Sequence, residues 1–218
     1  MTLASLKEDA EITAYLERGD SHLGNAGYTE HGLRHARLVA DISNNVMRRL
    51  NRGEEETRLT AMAGYLHDVG NVINRRDHPT AGGIMALQLL TDRGLSPERA
   101  AIIAGAIGNH ETEDGKIVSP VSAGLILADK SDVHRSRVRL SEPAEFDIHD
   151  RVNYAAEASF LNVQAGTGTI TLNLKIDTEI SPVMDYFEIF LSRMIMCRRA
   201  AVFLGQRFVL EINGMQML

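Results

Sequence analysis

Six metal-ligating side chains, His35, His67, Asp68, His78, His110 and Asp129, are scattered along the first two thirds of this chain. A fold that uses them together must bring distant segments to one point. The adjacent pair His67-Asp68 anchors the series, because an imidazole and a carboxylate can each ligate a cation and the carboxylate can bridge to a second one. His35 lies 32 residues before His67, His78 lies 10 after Asp68, His110 lies 32 after His78, and Asp129 a further 19 on.

Local patterning places each of these residues on or beside a helix. Ser5 to Leu16 reads as a first helix, followed by a loop through Gly19, Gly24 and Gly27, with Thr29 as the cap of a second helix. The second helix carries Val39, Ile42, Val46 and Leu50 on one apolar stripe and sets His31 and His35 four residues apart on a shared face. A third helix starts near Glu54, buries Leu59, Met62, Ala63 and Leu66, and ends at His67-Asp68, where Gly70 is expected to supply the positive φ of a helix stop. Asp77 with Pro79 opens the next helix, Gly94 closes it, and Ser96-Pro97 and Ser119-Pro120 repeat the cap-then-proline signature. His78 therefore begins a helix, whereas His110 follows one.

The last third changes character. Phe160 to Gln164 and Thr169 to Ile176 read as strands joined by a turn at Ala165 to Gly168, Pro182 to Leu204 as a helix whose Met194 and Met196 pack inward, and Phe208 to Ile212 as a strand. The expected class is mainly α, a helical bundle over residues 1–140 with a small α/β appendage over 148–218 (two-stranded hairpin, helix, strand). Ser141 to Asp147, with Pro143 among polar neighbours, is the expected junction.

Composition narrows the function. At 218 residues with 44% hydrophobic content the chain can bury a sizeable core. A formal charge of −6, no Trp and 5% aromatic residues supply neither the basic surface nor the stacking platforms of a nucleic-acid binder, so a nucleic-acid polymer is not the expected partner. Cys197 is the sole cysteine, which rules out an intrachain disulfide and a thiolate-built zinc site. Charged residues interrupt the N-terminal segment and the apolar runs are too short for a membrane span, so the expected location is cytoplasmic, away from the membrane.

The ordered set His35, His67-Asp68, Asp129 resembles the motif of the HD superfamily of metal-dependent phosphohydrolases, over about Thr29 to His134. That resemblance implies a helical bundle whose separate helices each supply ligands. The stretch His67 to Asn71, with His78-Pro79 and Asn109-His110-Glu111, is further similar to HD branches that hold two metals. It implies His35, His67, Asp68 and Asp129 on one ion and Asp68, His78 and His110 on the other, with Asp68 bridging and a metal-bound hydroxide as nucleophile. The run from His110 to Gly115 is similar to the HD-GYP cyclic-dinucleotide phosphodiesterases, but it departs from them. Asn109 replaces a second His, Asn71 replaces a Lys, and no Gly-Tyr-Pro follows Gly115. The (p)ppGpp-hydrolase branch matches less well, because Asn71 and the Arg75-Arg76 pair stand where its acidic pair belongs.

Mixed His and carboxylate ligands suit manganese, iron, nickel or zinc, with magnesium also admissible. Inositol-oxygenase-like HD proteins use the same ligand order for two irons, so the ligands alone do not separate phosphoester hydrolysis from dioxygen chemistry. Cations distinguish the two: Arg75, Arg76 and Lys130 adjoin motif residues and are the candidate catalytic partners, with Asp68, for a small phosphorylated metabolite or nucleotide. A non-catalytic metal- or nucleotide-binding module is the remaining reading, with the C-terminal part as sensor or homodimer contact. Asp132, three residues after Asp129, is placed to orient a ligand, while Arg135, Arg137 and Arg139 would spread around a helix as a solvated face.

Overall fold

The computed structural model describes residues 1–111, 116–139 and 146–217. Among them, helices α1 (Leu3–Lys7), α2 (Ala10–Asn25), α3 (Leu33–Arg49), α4 (Glu54–Leu66), α5 (His78–Asp92), α6 (Pro97–Gly108) and α7 (Pro120–Lys130) form a bundle. Helix α8 (Ile148–Ala155) leads into strands β1 (Ala156–Gln164) and β2 (Thr169–Ile176), followed by α9 (Val183–Phe203), β3 (Arg207–Ile212) and β4 (Met215–Gln216). The sheet order is β1-β2-β3-β4. β1 pairs antiparallel with β2, β2 parallel with β3 across the α9 crossover, and β3 antiparallel with β4. The chain is thus mainly helical with a small C-terminal α/β part, as its patterning predicts. No helix among the described residues is long and apolar enough to cross a membrane.

Four local expectations are corrected. The first predicted helix breaks at Asp9, whose carboxylate accepts from the Glu11 and Ile12 amides and caps α2. α2 then runs straight through the expected loop to Asn25, because Gly19 is a packing residue: a Cβ there would come within 3.0 Å of the Val72 nitrogen. The α3 cap is Gly32 rather than Thr29, so His31 precedes the helix that carries His35. Arg135 to Arg139 do not form a solvated helical face. Arg135–Arg137 is a 3₁₀ turn, and buried Arg137 donates to the carbonyls of Asp132 and Glu30.

Gly70 is a fifth correction, and it bears on the site. It lies in a 3₁₀ turn, Val69–Val72, and is not among the positive-φ glycines. Its lack of a side chain serves close approach instead, since a Cβ would sit 2.2 Å from the His78 carbonyl oxygen and 2.4 Å from the Gly82 nitrogen. The His67-Asp68 turn is thereby pressed against the first turns of α5, where His78 stands.

α7 is the centre of the molecule. Every residue from Val121 to Lys130 is buried, as expected of a helix that is apolar around most of its circumference. Val121, Leu125 and Ala128 join the bundle core with Ala36, Val39, Met62 and Leu66. Ala123, Ile126 and Leu127 join a second core with alternating residues of β2 (Ile170, Leu172, Leu174) and with Phe190 and Cys197 of α9. The expected junction, 141–147, falls mostly outside the described residues, and the two halves share that second core. α8 and β4 have no counterpart in the sequence reading.

Gly70→Ala is expected to cost about 3 kcal/mol, the upper part of the usual overpacking range, because the added methyl meets backbone on two sides. Urea denaturation measures this, and an unchanged midpoint would show that the turn and α5 separate freely.

Candidate metal centre

Four imidazoles converge, and each is aimed in the same way. His67 donates from Nδ1 to the Gly64 carbonyl at 2.8 Å, His78 to the Arg75 carbonyl at 2.7 Å, and His110 to the Ile107 carbonyl at 2.6 Å. A carbonyl oxygen only accepts, so the proton is on Nδ1 in all three. His35 makes the equivalent bond from Nδ1 to Asp132 Oδ2 at 2.7 Å. Burial opposes ionisation of Asp132, but the His35 hydrogen bond and the charges of Arg137 and Arg34 hold it well below the usual carboxylate range. All four Nε2 atoms are left facing inward.

They meet in pairs. His35 Nε2 is 3.2 Å from His67 Nε2, and His78 Nε2 is 3.2 Å from His110 Nε2. Burial and Lys130 push His110 down to about 3, and burial and Arg75 lower His78, so both are neutral at neutral pH. Arg75 Nη1 lies 3.3 Å from His78 Nε2 and can only donate to it. The second pair therefore directs two lone pairs towards one point with no proton joining the two rings, and the Arg75 guanidinium already brings positive charge to the His78 lone pair. Bonds of about 2.0–2.1 Å from one cation to two nitrogens place those nitrogens about 3–3.4 Å apart. A shared cation fits this arrangement, and a hydrogen bond does not.

The carboxylates complete the cluster. Asp68 directs Oδ2 to the first pair, 3.3 Å from His67 Nε2 and 3.7 Å from His35 Nε2, and Oδ1 to the second, 3.5 Å from His78 Nε2. Oδ1 also accepts from Asn71 Nδ2 at 2.7 Å, whereas Oδ2 is buried without a hydrogen-bond partner. Asp129 Oδ1 lies 3.3 Å from His35 Nε2 and 3.6 Å from His67 Nε2. Among the described residues, three groups could hold a cation: His35, His67 and Asp129; His67, Asp68 and His110; and His78, His110 and Glu111, the candidate atoms within each lying within 4.8 Å of one another. All six sequence-predicted ligands are thus brought to one place.

The predicted cations divide. Lys130 is buried, 2.8 Å from Asp129 and 3.4 Å from Glu111, and Arg75 lies 3.8 Å from Asp68 and 3.6 Å from Glu111. Arg76 is exposed and does not line the cavity, because the turn that brings Arg75 inward points its neighbour to solvent. Glu111, Arg137 and Arg193 also line the cavity with His31, and the sequence reading gave none of these three a role there. Glu111 follows His110 directly, which is its only local signal; burial resists its charge, but Lys130 and His110 bring it down to about 2. Arg193 comes from α9 and has no local signal. His31 donates from Nδ1 to the Thr29 carbonyl at 2.7 Å and packs edge-on to His35. It stands in none of the three ligand groups. Thr112 to Gly115, which carry the rest of the HD-GYP-like run, lie outside the described residues.

His67 differs from its neighbours. Burial disfavours its charge, yet Asp68 and Asp129 raise it to about 10. Below that pH the metal-free site holds a proton on His67, and a cation must displace it. Loading metal-free protein near pH 7 is expected to release about one proton from this residue, with apparent affinity rising as pH rises towards 10. Titration calorimetry in buffers of different ionisation enthalpy measures this, and uptake with no proton release would contradict the assignment.

The HD domain family model matches residues 32–151, more than half of the chain. Uncharacterized protein MJ1020 of Methanocaldococcus jannaschii is 26% identical over 173 residues, covering 68% of this chain and 66% of that protein, slightly less than two thirds of its length. The crystal structure of a predicted HD superfamily hydrolase from an uncultured Thermotogales bacterium is 18% identical and covers 94% of each chain, with a TM-score of 0.47. The matched family segment contains His35, the His67-Asp68 pair, His78, His110 and Asp129, and this chain belongs to the HD domain family.

Proposed function

We propose that this protein is a metal-dependent phosphohydrolase that holds two divalent transition-metal ions and acts on a small phosphorylated metabolite or nucleotide. The observation that carries the reading is the two-sided placement of Asp68, with one oxygen towards the His35–His67 pair and the other towards His78 and His110. His35, His67 and Asp129 would hold one ion and His78 and His110 the other, with Asp68 placed to reach both and Glu111 beside the second pair. Two such ions, when bound, lower the pKa of a water and stabilise charge on phosphoryl and leaving oxygens.

The protein's own groups do the rest. Asp132 locks the orientation of His35, and Asn71 holds Asp68 Oδ1 while Oδ2 stays free. Lys130 and Arg75 bring positive charge to the cavity lining, where an anionic substrate needs it. The cavity has about 10 Å³ of free volume, room for about one water, so bulk water is kept out until a ligand displaces a side chain. These cations favour hydrolysis over the di-iron oxygenase chemistry that the same ligands could serve.

A screen of phosphomonoesters and phosphodiesters with added manganese, magnesium, iron, nickel or zinc, on protein purified with and without air, tests the reading. Phosphate or phosphomonoester release that disappears in Asp68→Ala is expected. An iron-only, oxygen-dependent reaction without phosphate release would overturn it. His78→Ala and His110→Ala are each expected to lower the metal content from about two ions to one by elemental analysis. If both variants kept two, the second-site assignment would be wrong.

A further inference from the structure

Among the described residues, the cavity over the ligand cluster is lined by ionisable side chains, with Arg75, Lys130, Arg137 and Arg193 set among His31, Glu111 and the carboxylates. None of these described side chains is aliphatic, and four of them are cations, so the lining suits a part of the substrate that is compact and strongly anionic. Most of the cations are already engaged. Lys130 is paired with Asp129 and Glu111, Arg75 contacts Asn71 and Glu111, and Arg137 spends both Nη atoms on backbone carbonyls.

Arg193 is different. Among the described residues it forms no hydrogen bond and no ion pair; its contact is with the face of the Phe190 ring, whose centroid is 4.6 Å from its Cζ. The helix beneath it is firmly seated, since Phe190, Met194 and Cys197 lie in the core shared with Ile126 and Leu127 of α7. Burial and the nearby charge of Arg137 depress its guanidinium, which nonetheless stays protonated at neutral pH. A seated stem with an uncommitted five-donor fork lining the cavity is suited to bidentate recognition of phosphoryl oxygens. With free space for about one water, an incoming anion must displace a side chain, and Arg193 has no hydrogen bond to lose when it moves.

We propose that Arg193 binds the terminal phosphoryl group of the substrate, so that helix α9 completes the active site and the remainder of the substrate stays outside the cavity. This rests on the phosphohydrolase reading. Inorganic phosphate is the minimal probe, because on this view the phosphoryl group is the part that enters.

Phosphate is titrated calorimetrically into metal-loaded wild-type protein and into Arg193→Gln, Arg193→Lys and Arg198→Gln, the last altering an exposed charge on the same helix. Arg193→Gln is expected to weaken phosphate binding by about tenfold to a hundredfold with unchanged metal content. Arg193→Lys should fall between it and wild type, Arg198→Gln should match wild type, and any phosphoester turnover should lose KM more than kcat. Wild-type affinity in Arg193→Gln would overturn the assignment and leave the phosphohydrolase reading standing. If Arg193→Gln does not fold, wild-type affinity in Arg193→Lys overturns it equally. Wild-type protein that neither binds phosphate nor releases it from any phosphoester would remove the phosphohydrolase reading, and the role of Arg193 with it.

Discussion

The opposed lone pairs of His78 and His110 are the constraint around which the rest of the site is arranged. Two neutral imidazoles with their Nε2 atoms 3.2 Å apart repel each other unless positive charge is close by, and the Arg75 guanidinium, 3.3 Å from His78 Nε2, is one such charge. Holding them there takes an acceptor behind every ring, and the structure supplies one each time: three carbonyls near helix ends and the carboxylate of Asp132. Helix termini are suited to this task, since their last carbonyls have no intrahelical partner. The ligand position and the carbonyl that fixes it arise from the same stretch of chain: Gly64 with His67, Ile107 with His110.

Convergence of those termini depends on glycine contacts and on α7. Gly70 against His78 and Gly82 brings the end of α4 onto the start of α5, and Gly19 against Val72 braces the turn from the other side. α7 delivers Asp129 at its C-terminal end with apolar residues on both flanks. One flank closes the bundle and the other closes the sheet, so the C-terminal part and the ligand cluster are positioned by a single helix. That is how a residue as distant in sequence as Arg193 reaches the cavity.

Much of this was legible in the sequence because it rests on local signals. Asp77, Ser96-Pro97 and Ser119-Pro120 mark helix starts, and β2, at Thr169–Ile176, follows its period-two pattern. His35, His67, Asp68 and Asp129 could be identified because their order resembles a known family. What was missed depends on spatial neighbours. Gly19 and Gly70 look like loop and stop glycines until the backbone they touch is known, and Thr29 and Gly32 are about equal as caps by residue type, so type alone does not choose between them. Arg76 and Arg75 are equivalent in sequence, and only the turn decides which faces the carboxylates. Arg137 and Arg193 were indistinguishable from surface charge, because what buries them is tertiary: Arg137 reaches back to Glu30, and Arg193 meets a cavity built from distant segments.

The burial of α7 on both sides also has a consequence for motion. Local opening requires an element with few buried contacts, and α7 has none of its ten residues from Val121 to Lys130 at the surface. Fraying of this helix would expose two cores at once, so its opening free energy approaches that of the whole fold. The backbone around Asp129 is accordingly among the last to let solvent in. Side-chain rotation around the cavity, on timescales far shorter than bundle breathing, opens a path that leaves α7 intact.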